Sequence, residues 1–189
     1  MMGRMGELIL LRHGETEWSR DGRHTGRTDI PLTKDGEAEA AALAPRLADW
    51  KFSRVLVSPL SRAGETAALA GLEVPEITPD LVEWDYGDYE GRTTLAIRED
   101  RPGWDLFTDG APGGETLSHV ATRVDRVIAE IRSGTGDVAC VAHAHVLRIL
   151  AVRWLGVDPT SARFLVLGPA SISVLGWERE HPVIEHWNT

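Results

Sequence analysis

The sequence predicts an α/β fold: a three-layer sandwich with a mostly parallel central sheet, helices on both faces and an antiparallel C-terminal edge. Three observations carry that expectation. Residues 7–11, 54–57 and 137–142 are short apolar runs with the continuous hydrophobicity of strands buried on both faces. Helical patterns alternate with them along the chain. Two alternating segments, residues 171–177 and 183–187, are joined through His181-Pro182 and have the look of a hairpin at an edge.

After the first strand, residues 33–50 form an alanine-rich helix with Thr33 at its N-cap, and Pro45 demands a kink or an early stop. The second strand leads into a helix over residues 60–70, ended by Gly71. The clearest helix is 116–132, where Leu117, Val120, Ala121, Val124, Val127, Ile128 and Ile131 fall at helical spacing behind Gly113-Gly114. The third strand passes directly into a helix over 145–155, stopped by Gly156 and Pro159. Residues 84–114 mix glycine, proline, charges and aromatics, with a weak helical pattern only at 94–99. That is too long for a plain connection, so a lid or pocket wall is expected there.

The 189 residues suit one domain spanning 1–189, with no repeat, low-complexity run or linker. A hydrophobic fraction of 42% and a charged fraction of 26% are those of an ordinary globular chain. No window is apolar for long enough to span a bilayer, and residues 1–6 lack the apolar core of a signal peptide. Cys140, the single cysteine, lies in an apolar run, so neither a disulfide framework nor a cysteine metal site is expected. A cytoplasmic setting follows as the expectation. The net charge of −9 argues against nucleic acid and anionic membranes as partners. An anionic ligand then needs a local cluster of positive groups, acting within a Debye length of roughly 8 Å.

Such a cluster is suggested by what stands at the strand ends, where open α/β sheets bind ligands. The first strand runs into Arg12-His13-Gly14, the second into Ser58-Pro59-Leu60-Ser61-Arg62, the third into His143-Ala144-His145. In a parallel sheet these ends are neighbours. Arginine supplies a donor fork suited to phosphate, histidine a nucleophile or proton carrier, and the helix starts supply backbone N–H groups.

In order along the chain, these segments resemble the motifs of the histidine phosphatase superfamily, also called phosphoglycerate-mutase-like. Arg-His-Gly-Glu-Thr-Glu-Trp at 12–18 is similar to the family signature, and Gly22-Arg23-His24-Thr25-Gly26 to its continuation. Leu32-Thr33 with Gly36, Ser58 to Ala63 with Glu65-Thr66-Ala67, Glu83 to Gly87 with Glu90-Gly91, residues 112–116, and Val141-Ala142-His143 resemble the later motifs. The resemblance implies that His13 is the nucleophile and becomes a transient phosphohistidine. It implies that Arg12, Arg62 and His143 clamp the phosphoryl oxygens, and that Glu83 protonates the leaving alkoxide and later takes a proton from water. Ser19, Thr25 and Gly26 match positions that line the phosphate or the substrate. His24, Tyr86, Ala144 and His145 are further candidates for substrate contact.

One departure is Ala144-His145, where the family commonly has glycines. Two imidazoles at His143 and His145 invite a metal reading, but the neighbouring arginines compete with a cation, and neither a metal nor another cofactor is expected. His145 is expected to cap the helix or to stand behind the site. Because the segment 83–143 is short and lacks a basic insertion, hydrolysis of small phosphomonoesters (sugar phosphates or related metabolites) is favoured. Mutase-type phosphoryl transfer is the alternative, and non-catalytic binding of a phosphorylated ligand a third reading. Asp85, Asp88, Asp105 and Asp109 would disfavour a second anionic group on the substrate if they faced inward. The tail strands offer edges that could support a homodimer.

Overall fold

The computed structural model of the chain describes residues 6–189. Almost all of the N-terminal segment read above as no signal peptide lies outside the described residues. Six strands form one sheet: β1 (Leu8–Arg12), β2 (Phe52–Val57), β3 (Pro75–Ile77), β4 (Asp137–Ala142), β5 (Ile172–Glu178) and β6 (His181–His186), in the order β3-β2-β4-β1-β5-β6. β1, β2, β3 and β4 run parallel, while β5 is antiparallel to β1 and forms a hairpin with β6. The predicted fold class is the observed one.

The pleat sends alternate residues to two apolar layers. Leu8, Leu10, Leu56, Val138, Cys140 and Ala142 join one core cluster, whose helices are α7 (Leu117–Ser133) and α8 (Ala144–Trp154). Ile9, Leu11, Val55, Val57, Ala139 and Val141 face the other, against α3 (Ala44–Leu47) and α4 (Ser61–Leu69). Burial on both faces is why these strands read as unbroken apolar runs.

Local signals account for the helix ends. Thr33 caps α2 (Lys34–Ala41) by accepting from Gly36 N, and Thr116 caps α7 by accepting from His119 N. The predicted helix over 33–50 is two pieces, since α2 stops at Ala41 and Pro45 sits in the first turn of α3. Thr16 and Ser19 make a reciprocal capping box at α1 (Glu17–Arg20). In the expected wall, α5 (Thr94–Asp100) and α6 (Leu106–Asp109) are short, and Trp84 and Trp104 are both buried in the core. Among the described residues no helix is long and apolar enough to cross a membrane.

Candidate active site

Because β2, β4 and β1 are adjacent, their C-terminal ends bring three segments together. His13 follows β1, Arg62 lies in the first turn of α4, and His143 takes the N-cap position of α8. All three side chains are buried. Gly14 lets the loop that carries His13 approach α2 closely, since a Cβ on it would meet the Gly36 backbone.

The hydrogen bonds fix the state of each ring. His13 Nδ1 lies 2.7 Å from Gly14 O. A carbonyl only accepts, so Nδ1 carries the proton and Nε2 keeps its lone pair. Burial first, then the charges of Arg12 and Arg62, hold the His13 pKa well below the ordinary histidine value, so the ring is neutral. His143 sits beside it, with ring centroids 5.1 Å apart. Arg62 Nε donates to His143 Nδ1 at 3.1 Å, which leaves His143 Nε2 to donate to Ser58 Oγ at 2.7 Å. Burial, followed by the charge of Arg62, keeps His143 neutral as well.

Arg62 also donates to the carbonyls of Thr28, Thr25 and Gly26 at 2.9, 3.3 and 3.0 Å. The structure therefore brings Arg62 and His143 against His13 from behind, with their donors on protein atoms rather than on the cavity wall. Arg12 is different. Its Nη1 donates to Leu167 O at 2.5 Å, and its buried Nε has no acceptor among the described residues.

Glu83 enters from the loop before the expected wall. Its Oε1 accepts from Trp84 N at 2.8 Å and Val146 N at 2.9 Å, and its Oε2 from His145 N at 3.0 Å. Two of these donors belong to the first turn of α8, so a helix N-terminus orients the carboxylate. The N–H of Ala144, at the same turn, has no backbone or side-chain acceptor among the described residues. Behind Glu83, Arg123 Nη2 donates to its carbonyl at 3.1 Å and pairs with Glu115 at 3.1 Å.

Arg12, His13, Ser19, His24, Thr25, Glu83, Tyr86, Ala144 and His145 all line one cavity of about 320 Å³. Gly26 does not. Its N–H donates to Glu90 Oε1 at 2.8 Å, and a Cβ there would strike Trp84 O, so it closes the loop beneath the site. His145 is not the helix cap expected from the sequence. His143 occupies that position through its backbone, and His145 points its Nδ1 at Tyr86 Oη, 2.6 Å away. The two imidazoles of the His-Ala-His run thus face different partners and do not converge on one point. Among the described residues there is no group of three or more His, Cys, Asp or Glu side chains placed to hold a metal ion.

Sequence reasoning missed the opposite wall. Arg148, Arg163, Leu165, Val166 and Leu167 also line the cavity. Arg148 was accessible to prediction, since it stands one helical turn beyond Ala144 and so shares its face. Arg163, in the 3₁₀ segment Pro159–Phe164, carries no such signal. None of Asp85, Asp88, Asp105 and Asp109 faces the cavity. Asp85 pairs with Arg27 at 2.7 Å, Asp105 with Arg163 at 3.2 Å and Asp109 with Arg101 at 3.3 Å.

The cavity therefore sets a neutral imidazole with one free ring nitrogen beside a carboxylate and several arginine side chains. A sequence model of the histidine phosphatase superfamily (branch 1) matches residues 8–189, and the chain belongs to that family. It is 41% identical over 175 residues to an acid phosphatase of Mycobacterium tuberculosis, covering 90% of this chain and 86% of the relative. It is 33% identical over 183 residues to the sedoheptulose 1,7-bisphosphatase of Saccharomyces cerevisiae, with coverage of 79% and 67%. The solved structure of the open reading frame Rv3214 from Mycobacterium tuberculosis superposes with a TM-score of 0.93 at 39% identity, covering 98% of both chains.

Proposed function

We propose that this chain hydrolyses small phosphomonoesters, sugar phosphates or related metabolites, through a phosphohistidine on His13 and without a metal ion. The observation that carries the reading is the state of His13: Nδ1 tied to Gly14 O, Nε2 free, and a neutral ring in the cavity that also holds Glu83. Relatives named as an acid phosphatase and a sugar bisphosphatase support hydrolysis as the outcome.

In the first step the Nε2 lone pair attacks phosphorus, the bond from phosphorus to the ester oxygen breaks, and Glu83 gives its proton to that oxygen. In the second, water attacks the phosphorus, the P–N bond breaks, and Glu83 takes the water proton. Inorganic phosphate leaves and Glu83 is protonated again. The Ala144 N–H, a free donor, and the guanidinium of Arg12, which lines the cavity, would hold phosphoryl oxygens as charge redistributes. Arg62 contributes through charge, and Arg62 and the neutral His143 together fix the surroundings of His13.

The test is release of inorganic phosphate from p-nitrophenyl phosphate in the presence of a chelator. Turnover is expected with the wild-type chain and none with His13→Ala. Glu83→Gln should slow turnover of alkyl esters by roughly 10²–10⁴-fold. Activity that survives His13→Ala, or isomerisation of phosphoglycerate dependent on a bisphosphate primer, would overturn the reading.

A further inference from the structure

Two arginines flank His13, and they are held very differently. Arg62 donates to four protein acceptors, so its fork is fixed on every side. The Arg12 fork lines the cavity, and its one protein acceptor among the described residues is Leu167 O, at 2.5 Å. A planar fork tied at a single point takes its direction from that point. Where Leu167 O goes, Arg12 follows.

Residues 187–189, which follow β6, hold Leu167 in place. On one side of it the Trp187 indole donates to Val166 O at 2.6 Å, and on the other Gly168 N donates to Asn188 Oδ1 at 2.6 Å. The bracketed Leu167 side chain is buried in the same core cluster that the Trp187 ring packs against. The bracket is itself anchored on the sheet. Asn188 N donates to the buried Ser173 Oγ at 2.9 Å, and Thr189 exchanges two backbone hydrogen bonds with Ile172.

From Leu167 the turn runs on to the His13 loop. Ala170 N donates to His13 O at 3.1 Å, and Ser171 O accepts from Arg12 N at 3.2 Å. Ala170 and Asn188 both lie in the left-handed region, with φ of +45° and +55°. Asparagine tolerates that region, whereas alanine adopts it only where its surroundings dictate it. One short turn thus touches Arg12 twice and His13 once. It is held from outside by two side chains that do not line the cavity.

We propose that Trp187 and Asn188 are positioning residues for Arg12: by bracketing Leu167 they aim the arginine fork at the phosphoryl group beside His13. The proposal rests on the phosphatase reading and deepens it. Phosphoryl oxygens shift in position and charge on the way to the transition state. A fork aimed a fraction of an ångström wrong therefore costs rate more than substrate binding.

The test compares wild type with the double variant Trp187→Phe/Asn188→Gly, which keeps the ring packing and the left-handed backbone but removes both bracket bonds. With p-nitrophenyl phosphate, kcat should fall roughly tenfold and the orthovanadate inhibition constant should rise by a similar factor, while KM changes by about threefold or less. Asn188→Asp, which retains an acceptor oxygen, should stay near wild type. Ile184→Ala, on β6 and packed on the core away from the turn, controls for lost stability. It should lower Tm and leave the vanadate constant unmoved. In an Arg12→Met background the double substitution should have no further effect, because the fork it aims is gone. Unchanged vanadate affinity in the double variant, an equal loss of it in Ile184→Ala, or a further loss in the Arg12→Met background would overturn the proposal. Absence of turnover in the wild-type chain would count against the phosphatase reading instead, and amide exchange then reads the bracket without turnover. In the double variant the N–H groups of Ala170 and Arg12 should exchange roughly tenfold faster or more, with Leu10 unchanged. Equal exchange of Ala170 and Arg12 in the two proteins would refute the coupling.

Discussion

Replacing Arg123 with alanine is expected to disturb both stability and the chemistry of Glu83. The guanidinium is only 7% exposed and makes a two-pronged pair with Glu115, whose side chain is 16% exposed. It also donates to Asp80 O at 2.7 Å and to Glu83 O at 3.1 Å. Alanine would leave a nearly buried carboxylate and two carbonyls without these donors, and breaking a buried pair from one side costs about 3–5 kcal/mol. For a chain of this size that lowers Tm by roughly 10 °C. Because the lost donor steadies the Glu83 backbone, turnover of alkyl phosphates should fall more than turnover of p-nitrophenyl phosphate, whose leaving group needs little proton donation. The assays are thermal unfolding and kcat on both ester types. Replacing Arg123 and Glu115 together by leucine should recover part of the lost stability, because no unpaired charge remains. A Tm within about 3 °C of wild type for Arg123→Ala, with both esters equally affected, would refute the reasoning.

Acidification acts on the histidines in two ways. Since burial and the arginines lower the His13 pKa, the nucleophile stays neutral as pH falls through 6.5, and the kcat profile should show no acid limb at the ordinary histidine value. A limb centred there would contradict it. Burial brings the His24 pKa down to about 4, so the unfolded chain binds its proton first. Stability is then fully present above 6.5 and is lost as pH falls toward 4, with His24 alone contributing about 3 kcal/mol. Urea unfolding at pH 7 and 4.5, compared with His24→Phe, measures this, and an equal pH slope in the two proteins would count against it. Gly36→Ala places a Cβ against the Glu15 backbone, and should push α2 off the nucleophile loop and reduce kcat as well as Tm. Unchanged kinetics in that variant would show that the loop can move at no cost.

Much of this architecture was legible because each layer of the sheet is dry on both sides. Residues such as Ile9 and Leu10 go to opposite cores, so the strands appear as solid apolar runs, and the chemistry collects at their ends. β3 was illegible for the opposite reason: Pro75, Glu76 and Ile77 are all exposed, and a three-residue edge strand has no periodicity to read. Most of the candidates that the structure gathers around one cavity were visible, but their partners were not. That Arg62 turns its fork into the Thr25–Thr28 loop and the ring of His143 depends on contacts between segments far apart in sequence. The arginine wall was hidden likewise, because Arg163 reaches the cavity from a connection whose path only packing determines.

The pairing of β1 has a consequence for how the protein comes into being. Leu8 is paired in register on one side with Val138 of β4 and on the other with Leu175 of β5, so the strand that leads into His13 finds both neighbours far along the chain. Contacts of such high order are closed late, after a large loss of chain entropy. The loop that carries His13 has no fixed shape until β4 and β5 have docked on β1. A chain that lacks β4 or β5 therefore carries His13 without the buried, arginine-flanked surroundings that keep its ring neutral, and those surroundings arrive together with the completed sheet.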